Sequence, residues 1–200
     1  MIDTVTNAVV GTPIAAGFSP FGITVNPAGT RAYVAHTSSD GIWVIDISTN
    51  TVVATVPVGY SQFAAVNPAG TRVYVPNGDQ GNPEVFVIDT ATNTVTATIS
   101  NGLGQGPSGI VINPAGTRAY VTNLNSHNMS VIDTSTNTVV GMPIDLGTDI
   151  LEGVGINLAG SVVYVANHYA GTLTMIDTGT STSVGAIQVG TNPGFIAVIR

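Results

Sequence analysis

The phrase Asn-Pro-Ala-Gly-Thr-Arg stands at 26–31, 67–72 and 113–118, and a weaker form, Asn-Leu-Ala-Gly-Ser-Val, stands at 157–162, at spacings of 41, 46 and 44 residues. A second phrase, an Ile-Asp pair ahead of a stretch rich in Thr, Ser and Asn, places Asp3, Asp46, Asp89, Asp133 and Asp177 43 or 44 residues apart. Two interleaved motifs keep one period. A period of about 40–45 residues fits a four-stranded propeller blade and also some helical repeats, so the local pattern has to arbitrate.

It arbitrates for strands. Short runs rich in Val, Ile, Thr and Tyr, such as 22–25, 32–35, 42–45 and 51–56, are broken by Gly, Pro and Asn clusters, and no apolar period of 3.6 survives across a unit. Each unit therefore carries four strands, A to D, from the axis outward. Asn, then Pro, then Gly at the fourth position is what a type I turn prefers, which makes A and B a tight hairpin. The Asp-Thr-x-Thr-Asn-Thr stretch, as at 89–94, offers short oxygen side chains to the neighbouring N–H groups between C and D. Both turns fall on one face of the disc. Strand parity sends the B–C and D–A connections, which vary among the units, to the opposite face, where specificity usually resides.

The reading is one domain over 1–200, with a partial unit at 1–25 and units near 26–66, 67–112, 113–156 and 157–200. An ordinary B–C hairpin places Arg31 across from Asp46, Arg72 from Asp89 and Arg118 from Asp133, while Val162 leaves Asp177 without such a partner. Exposed cross-strand pairs of this kind contribute about 0.2–1 kcal/mol each. Asp177 thus implies that the aspartate serves mainly the turn.

Composition removes several functions. Four arginines and no lysine stand against eleven acidic residues, a net charge of −7, so no basic patch can displace the counterions of a nucleic acid. No apolar run approaches the roughly 20 residues of a membrane-spanning helix, and no membrane insertion is expected. Cysteine is absent, which excludes disulfides, thiolate metal sites and a cysteine nucleophile. The start, Met-Ile-Asp-Thr, has neither the basic region nor the apolar stretch of a signal peptide.

With NPAGTRAYVTN at 113–123 and VIDTSTNTVV at 131–140, the chain resembles the YVTN-type β-propeller repeats of archaeal and bacterial cell-surface and surface-layer proteins. The tetrapeptide is intact at Tyr120–Asn123, and its equivalents are Tyr33–His36, Tyr74–Asn77 and Tyr164–Asn167. The resemblance implies an all-β propeller at the cell surface or outside the cell, and it carries no catalytic residues to transfer. Strands C and D at 1–15, four A–D sets and a last A strand at 193–198 give nineteen strands, where five closed blades need twenty. Four complete blades and one incomplete blade are expected, as a five-bladed ring, as part of a larger propeller, or as a subunit completed by another chain. Open edges favour association.

The candidates for chemistry lie among the irregular residues. His36, His127 and His168 all fall in B–C connections of different units and, with Glu152 or Asp149, could converge on zinc or a similar ion. The loops holding Asp79, Asn82 and Glu84, and Asp145, Asp149 and Glu152, have the hard oxygens that suit Ca²⁺, though not the spacing of an EF-hand. The expectation is no cofactor, with Ca²⁺ or another divalent ion as the alternative. Phe21, Gln62, Ser108, Glu152 and Gly194 are equivalent by alignment and should ring the channel mouth on the variable face. Gly104–Gly109 matches a dinucleotide fingerprint in letters but lacks the helix such a motif needs.

No base stands beside a nucleophile in the ring. The leading expectation is a non-catalytic extracellular or cell-surface interaction module that contacts a protein, a glycan or a neighbouring subunit. Its rivals are a lactonase- or lyase-like propeller enzyme using the channel mouth, with or without a metal, and a self-assembling lattice component.

Overall fold

Asparagine closes the inner hairpin of every unit. The Oδ1 of Asn67 accepts from the N–H groups of Thr71 (2.8 Å) and Arg72 (3.0 Å), and Asn26, Asn113 and Asn157 repeat the pattern. The N–H of Gly70 donates to the Asn67 carbonyl at 2.8 Å, which closes the type I turn. These turns lie between strands in a computed structural model that describes residues 2–38, 41–78, 81–147, 149 and 151–198, the side chains of Leu151 and Glu152 excepted.

The described strands form five antiparallel sheets. A two-stranded pair, β1 (Ile2–Asp3) and β2 (Ala8–Val9), comes first. The first full blade is β3 (Pro20–Val25), β4 (Arg31–His36), β5 (Ile42–Asp46) and β6 (Thr51–Val56). The second is β7 (Ala65–Val66), β8 (Arg72–Asn77), β9 (Glu84–Asp89) and β10 (Thr94–Ile99). The third is β11 (Pro107–Ile112), β12 (Arg118–Asn123) and β13 (Asn128–Asp133), with an outer strand interrupted into β14 (Thr138–Val139) and β15 (Ile144–Asp145). The fourth is β16 (Leu151–Ile156), β17 (Val162–Asn167), β18 (Thr172–Asp177) and β19 (Thr182–Gln188).

Alternation within the second strand of each blade builds the core. Tyr33 and Ala35 point toward the second blade and meet Val73 and Val75; Tyr74 meets Ala119 and Val121 of the third; Tyr120 meets Val163 and Val165 of the fourth. Each blade thus presents a tyrosine forward and small or branched residues backward. The same repeat positions become exposed where a neighbour is missing. Val56 and Ile99 are 2% and 4% exposed, but the equivalent Ile187 of the fourth blade is 46% exposed. Ile110 is buried, whereas Ile23 of the first blade is 68% exposed. Ile14 covers part of that first face, against Ala32, Val34 and Ile45.

Two expectations need correction. The segment 193–198 forms no strand ladder among the described residues; it lies at the axis with Phe195 against Phe21 and Phe63. Arg72 stands across from Asp89 in register, but its guanidinium donates to the Thr134 carbonyl of the next blade at 3.2 Å. Arg31 with Asp46 and Arg118 with Asp133 do form ion pairs.

The inner turns interlock around the axis. A Cβ placed at Gly116 would lie 3.3 Å from Cδ of Pro68, and one at Gly160 would lie 3.1 Å from Cδ of Pro114, so each glycine seats on the proline of the preceding turn. Gly29, in the first blade, faces open space. Its φ of 68° nevertheless equals the left-handed conformation of Gly116, at 71°. Both Gly29→Ala and Gly116→Ala should therefore lose about 1–2 kcal/mol to backbone strain. Gly116→Ala should lose more through the proline contact, which urea midpoints will show; equal losses would refute the interlock.

The outer turns depend on aspartate. Oδ1 of Asp89 accepts from the N–H groups of Ala91 and Thr92 at 3.0 Å each, and Asn93 follows with φ of 55°. Hydrogen bonds from the Ser48 hydroxyl and the Thr49 and Ser48 N–H groups, with a smaller pull from Arg31, bring the Asp46 carboxyl down to about 2. The hydroxyl and N–H of Ser135 do the same for Asp133, also to about 2, and Asp177 is lowered by Thr180 with no arginine opposite it. The unfolded value is 3.8, so the stabilisation is complete above that pH and is lost as pH falls through the folded value. Denaturant midpoints should fall between about pH 4 and about pH 2, and more shallowly for Asp46→Asn combined with Asp133→Asn.

Candidate functional site

Each complete inner ladder slips at its entrance. The register shifts between Pro20 and Ile23, between Pro107 and Ile110, and between Leu151 and Val154, which places Phe21, Ser108 and Glu152 in the irregular step. Such bulges re-aim side chains without disturbing the rest of the sheet. The expected mouth residues are brought together in part. The Ser108 hydroxyl donates to Oε1 of Gln62, and the Gly194 carbonyl lies against Gly153 so closely that a Cβ there would sit 2.5 Å from it. The Glu152 side chain lies outside the described residues.

The sequence reading missed two residues that decide the shape of the axis. Phe63 and Phe195 form a triangle with Phe21, with ring centroids 5.5 Å apart for Phe21–Phe63, 6.0 Å for Phe21–Phe195 and 5.8 Å for Phe63–Phe195. The signal was present: Phe63 and Phe195 occupy the repeat position held by Gly22, Gly109 and Gly153. Their rings narrow the loop side of the axis to a cavity of about 290 Å³.

A larger cavity, about 590 Å³, opens off the axis on the loop face. Thr37 from the first blade, Tyr60 and Gln62 from the link into the second, Asn77 at the end of β8, Ser108 on β11 and Asn125 after β12 line it. Its described lining carries no charged side chain. The walls are tied by backbone bonds: the Gly78 N–H donates to the Tyr60 carbonyl at 3.1 Å, that of Leu124 to Gly106 at 2.8 Å, and that of Ser61 to His36 at 2.9 Å.

Among the described residues no three His, Asp or Glu side chains come together to hold an ion. His36 lies within β4, fully buried, with Nδ1 3.0 Å from the Gly41 carbonyl and Nε2 against that of Ala16, so its ring pins two loops. Nδ1 of His127 lies 2.8 Å from the Asp149 carbonyl, and the Asp149 carboxylate accepts from the N–H groups of Tyr169 (2.9 Å) and Ala170 (2.7 Å). His168 stacks edge-on with Tyr169 at 5.2 Å. Glu84 accepts from the Asn82 amide at 2.8 Å, and Asp79 lies outside the described residues.

No protein-family model matches the sequence, and no curated protein is similar to it. Solved structures are. Hydrazine synthase of Kuenenia stuttgartiensis is 27% identical with a TM-score of 0.78, over 87% of this chain and 51% of that one. U3-55K is 11% identical with a TM-score of 0.76, over 88% and 54% of the two chains. The β-propeller domain of Cps50 (Swd1) from Myceliophteria thermophila is 10% identical with a TM-score of 0.70, over 88% and 57%. The chain spans about half the length of these structures. Together with the sheets described above, they define the class: an all-β propeller of four-stranded antiparallel blades.

Proposed function

We propose that the chain is a non-catalytic interaction module of the cell surface that binds its partner with the loop face. The observation that carries this reading is the cavity spanning three blades on that face, built from amides, hydroxyls and one tyrosine. Binding loops on a rigid scaffold are a common use of such folds. The YVTN-type resemblance of the repeats supplies the location. Labelled protein should bind saturably to envelope fragments of the organism that makes it. Thr37→Arg with Asn125→Arg should abolish that binding, while Ala28→Arg with Ala115→Arg on the turn face should leave it intact. Equal behaviour of the two pairs would reject the loop face.

A second reading, a self-assembling subunit, is favoured by the uncovered blade faces. Ile23 on the first blade and Ile187 on the fourth are 68% and 46% exposed. These are the faces that pack against neighbours elsewhere in the ring, and a second copy would cover them in the same way. Sedimentation velocity should then show association that rises with concentration and disappears in Ile23→Glu with Ile187→Glu. A monodisperse native monomer at every concentration would exclude it.

A further inference from the structure

We infer that the off-axis cavity is a binding site for a neutral saccharide; this rests on the reading of the loop face as the binding face and names its ligand class. Tyr60 lines the cavity with 39% of its surface exposed, and its ring lies so close to Gly78 that a Cβ there would sit 2.9 Å from Cδ1 and Cε1. Glycine at 78 therefore makes room for the ring and fixes its plane. A fixed, part-exposed aromatic face suits the apolar C–H face of a sugar ring, and the phenol adds a polar edge.

The polar groups match the other half of a saccharide. The Ser108 hydroxyl donates to Oε1 of Gln62, which orients the amide and leaves its Nε2 hydrogens to donate. Asn125 adds a donor and an acceptor from the opposite wall. Fixed amides and hydroxyls recognise hydroxyl groups, which both donate and accept. The volume, about 590 Å³, lies within the range of small-ligand sites.

Other ligand classes fit less well. Arg31, Arg72 and Arg118 all start their strands at the turn face, so among the described residues no arginine lines the cavity to meet a phosphate or carboxylate. An extended peptide needs an unpaired strand edge, whereas the wall N–H groups of Ser61, Gly78, Leu124 and Asn125 are already bonded to carbonyls of the chain.

The test is saturation-transfer NMR and calorimetry with maltose, cellobiose, lactose and N,N′-diacetylchitobiose, with 3′-sialyllactose as the anionic probe and triglycine as the peptide probe. At least one neutral disaccharide should bind and emerge unchanged. Tyr60→Ala and Gln62→Leu should each weaken it by roughly tenfold or more, while Tyr60→Trp should retain it. Circular dichroism of the variants checks the fold. Absence of neutral-sugar binding, an unchanged affinity in folded Tyr60→Ala, or tighter binding of sialyllactose or triglycine would overturn the assignment. If no sugar binds while the loop-face arginines still abolish envelope binding, the ligand class fails and the binding face stands. If a sugar binds and is converted to new products, the saccharide site stands and the non-catalytic reading fails.

Discussion

A four-stranded sheet that is apolar on both faces has no stable existence in water, and the packing of one blade on the next is the constraint from which the rest of this molecule follows. The forward tyrosine shows how the contact is made specific. Tyr74 is fully buried between the second and third blades, yet its hydroxyl reaches the Thr134 carbonyl at 3.3 Å and Oδ1 of Asn137 at 3.1 Å. Its ring fills the core while its tip joins the outer turn of the next blade. Phenylalanine would fill the same space without these two hydrogen bonds. Arg72 takes the same route to Thr134, which is why its charge is directed between blades instead of across its own hairpin.

The same constraint explains the two ends. Tyr164 stands at the forward position of the fourth blade, and among the described residues it joins no core cluster with a further blade. The segment 193–198 supplies an inner element without a second strand, and the Phe195 ring holds it to Phe21 and Phe63. Close approach at the axis demands the small residues found there. A Cβ at Gly22 would lie 2.3 Å from the Gln62 carbonyl, and one at Gly155 would lie 2.6 Å from Cγ2 of Ile196. Phenylalanine at the second and fifth equivalents of Gly22 then narrows the loop side of the axis.

Much of this was legible in the letters because the repeat is local chemistry. Asn-Pro-x-Gly dictates a turn within four residues, and the Asp-led turn dictates another, so strand order, register and the pairing of Arg31 with Asp46 followed directly. What was not legible depends on contacts across blades. Nothing near Arg72 in sequence announces Thr134, 62 residues away. His36 stands where the other blades have asparagine, and its burial depends on the Ala16 carbonyl in a segment outside the repeat pattern. The ring of mouth residues came from alignment along the strand, which says nothing of which neighbouring side chains close over the axis.

The residue that ends the second strand of each blade marks where the repeated scaffold gives way to variable loop. Nδ2 of Asn123 donates to Asn128 at 2.8 Å and Ser130 at 2.9 Å, and Nδ2 of Asn167 donates to Thr172 and Thr174 at 2.8 Å each. A buried amide thus fastens the base of these two loops to the following strand, and the cost of leaving such a group unpaired would fall on any substitution. Beyond that anchor the chain is free of repeat chemistry, so Asn125 can change without disturbing Asn123. Asn77 belongs to both regions, since it ends β8 and also lines the cavity. The cavity therefore begins at the rigid edge of the sheet, and its remaining lining falls on the few loop positions that no hairpin or core contact requires.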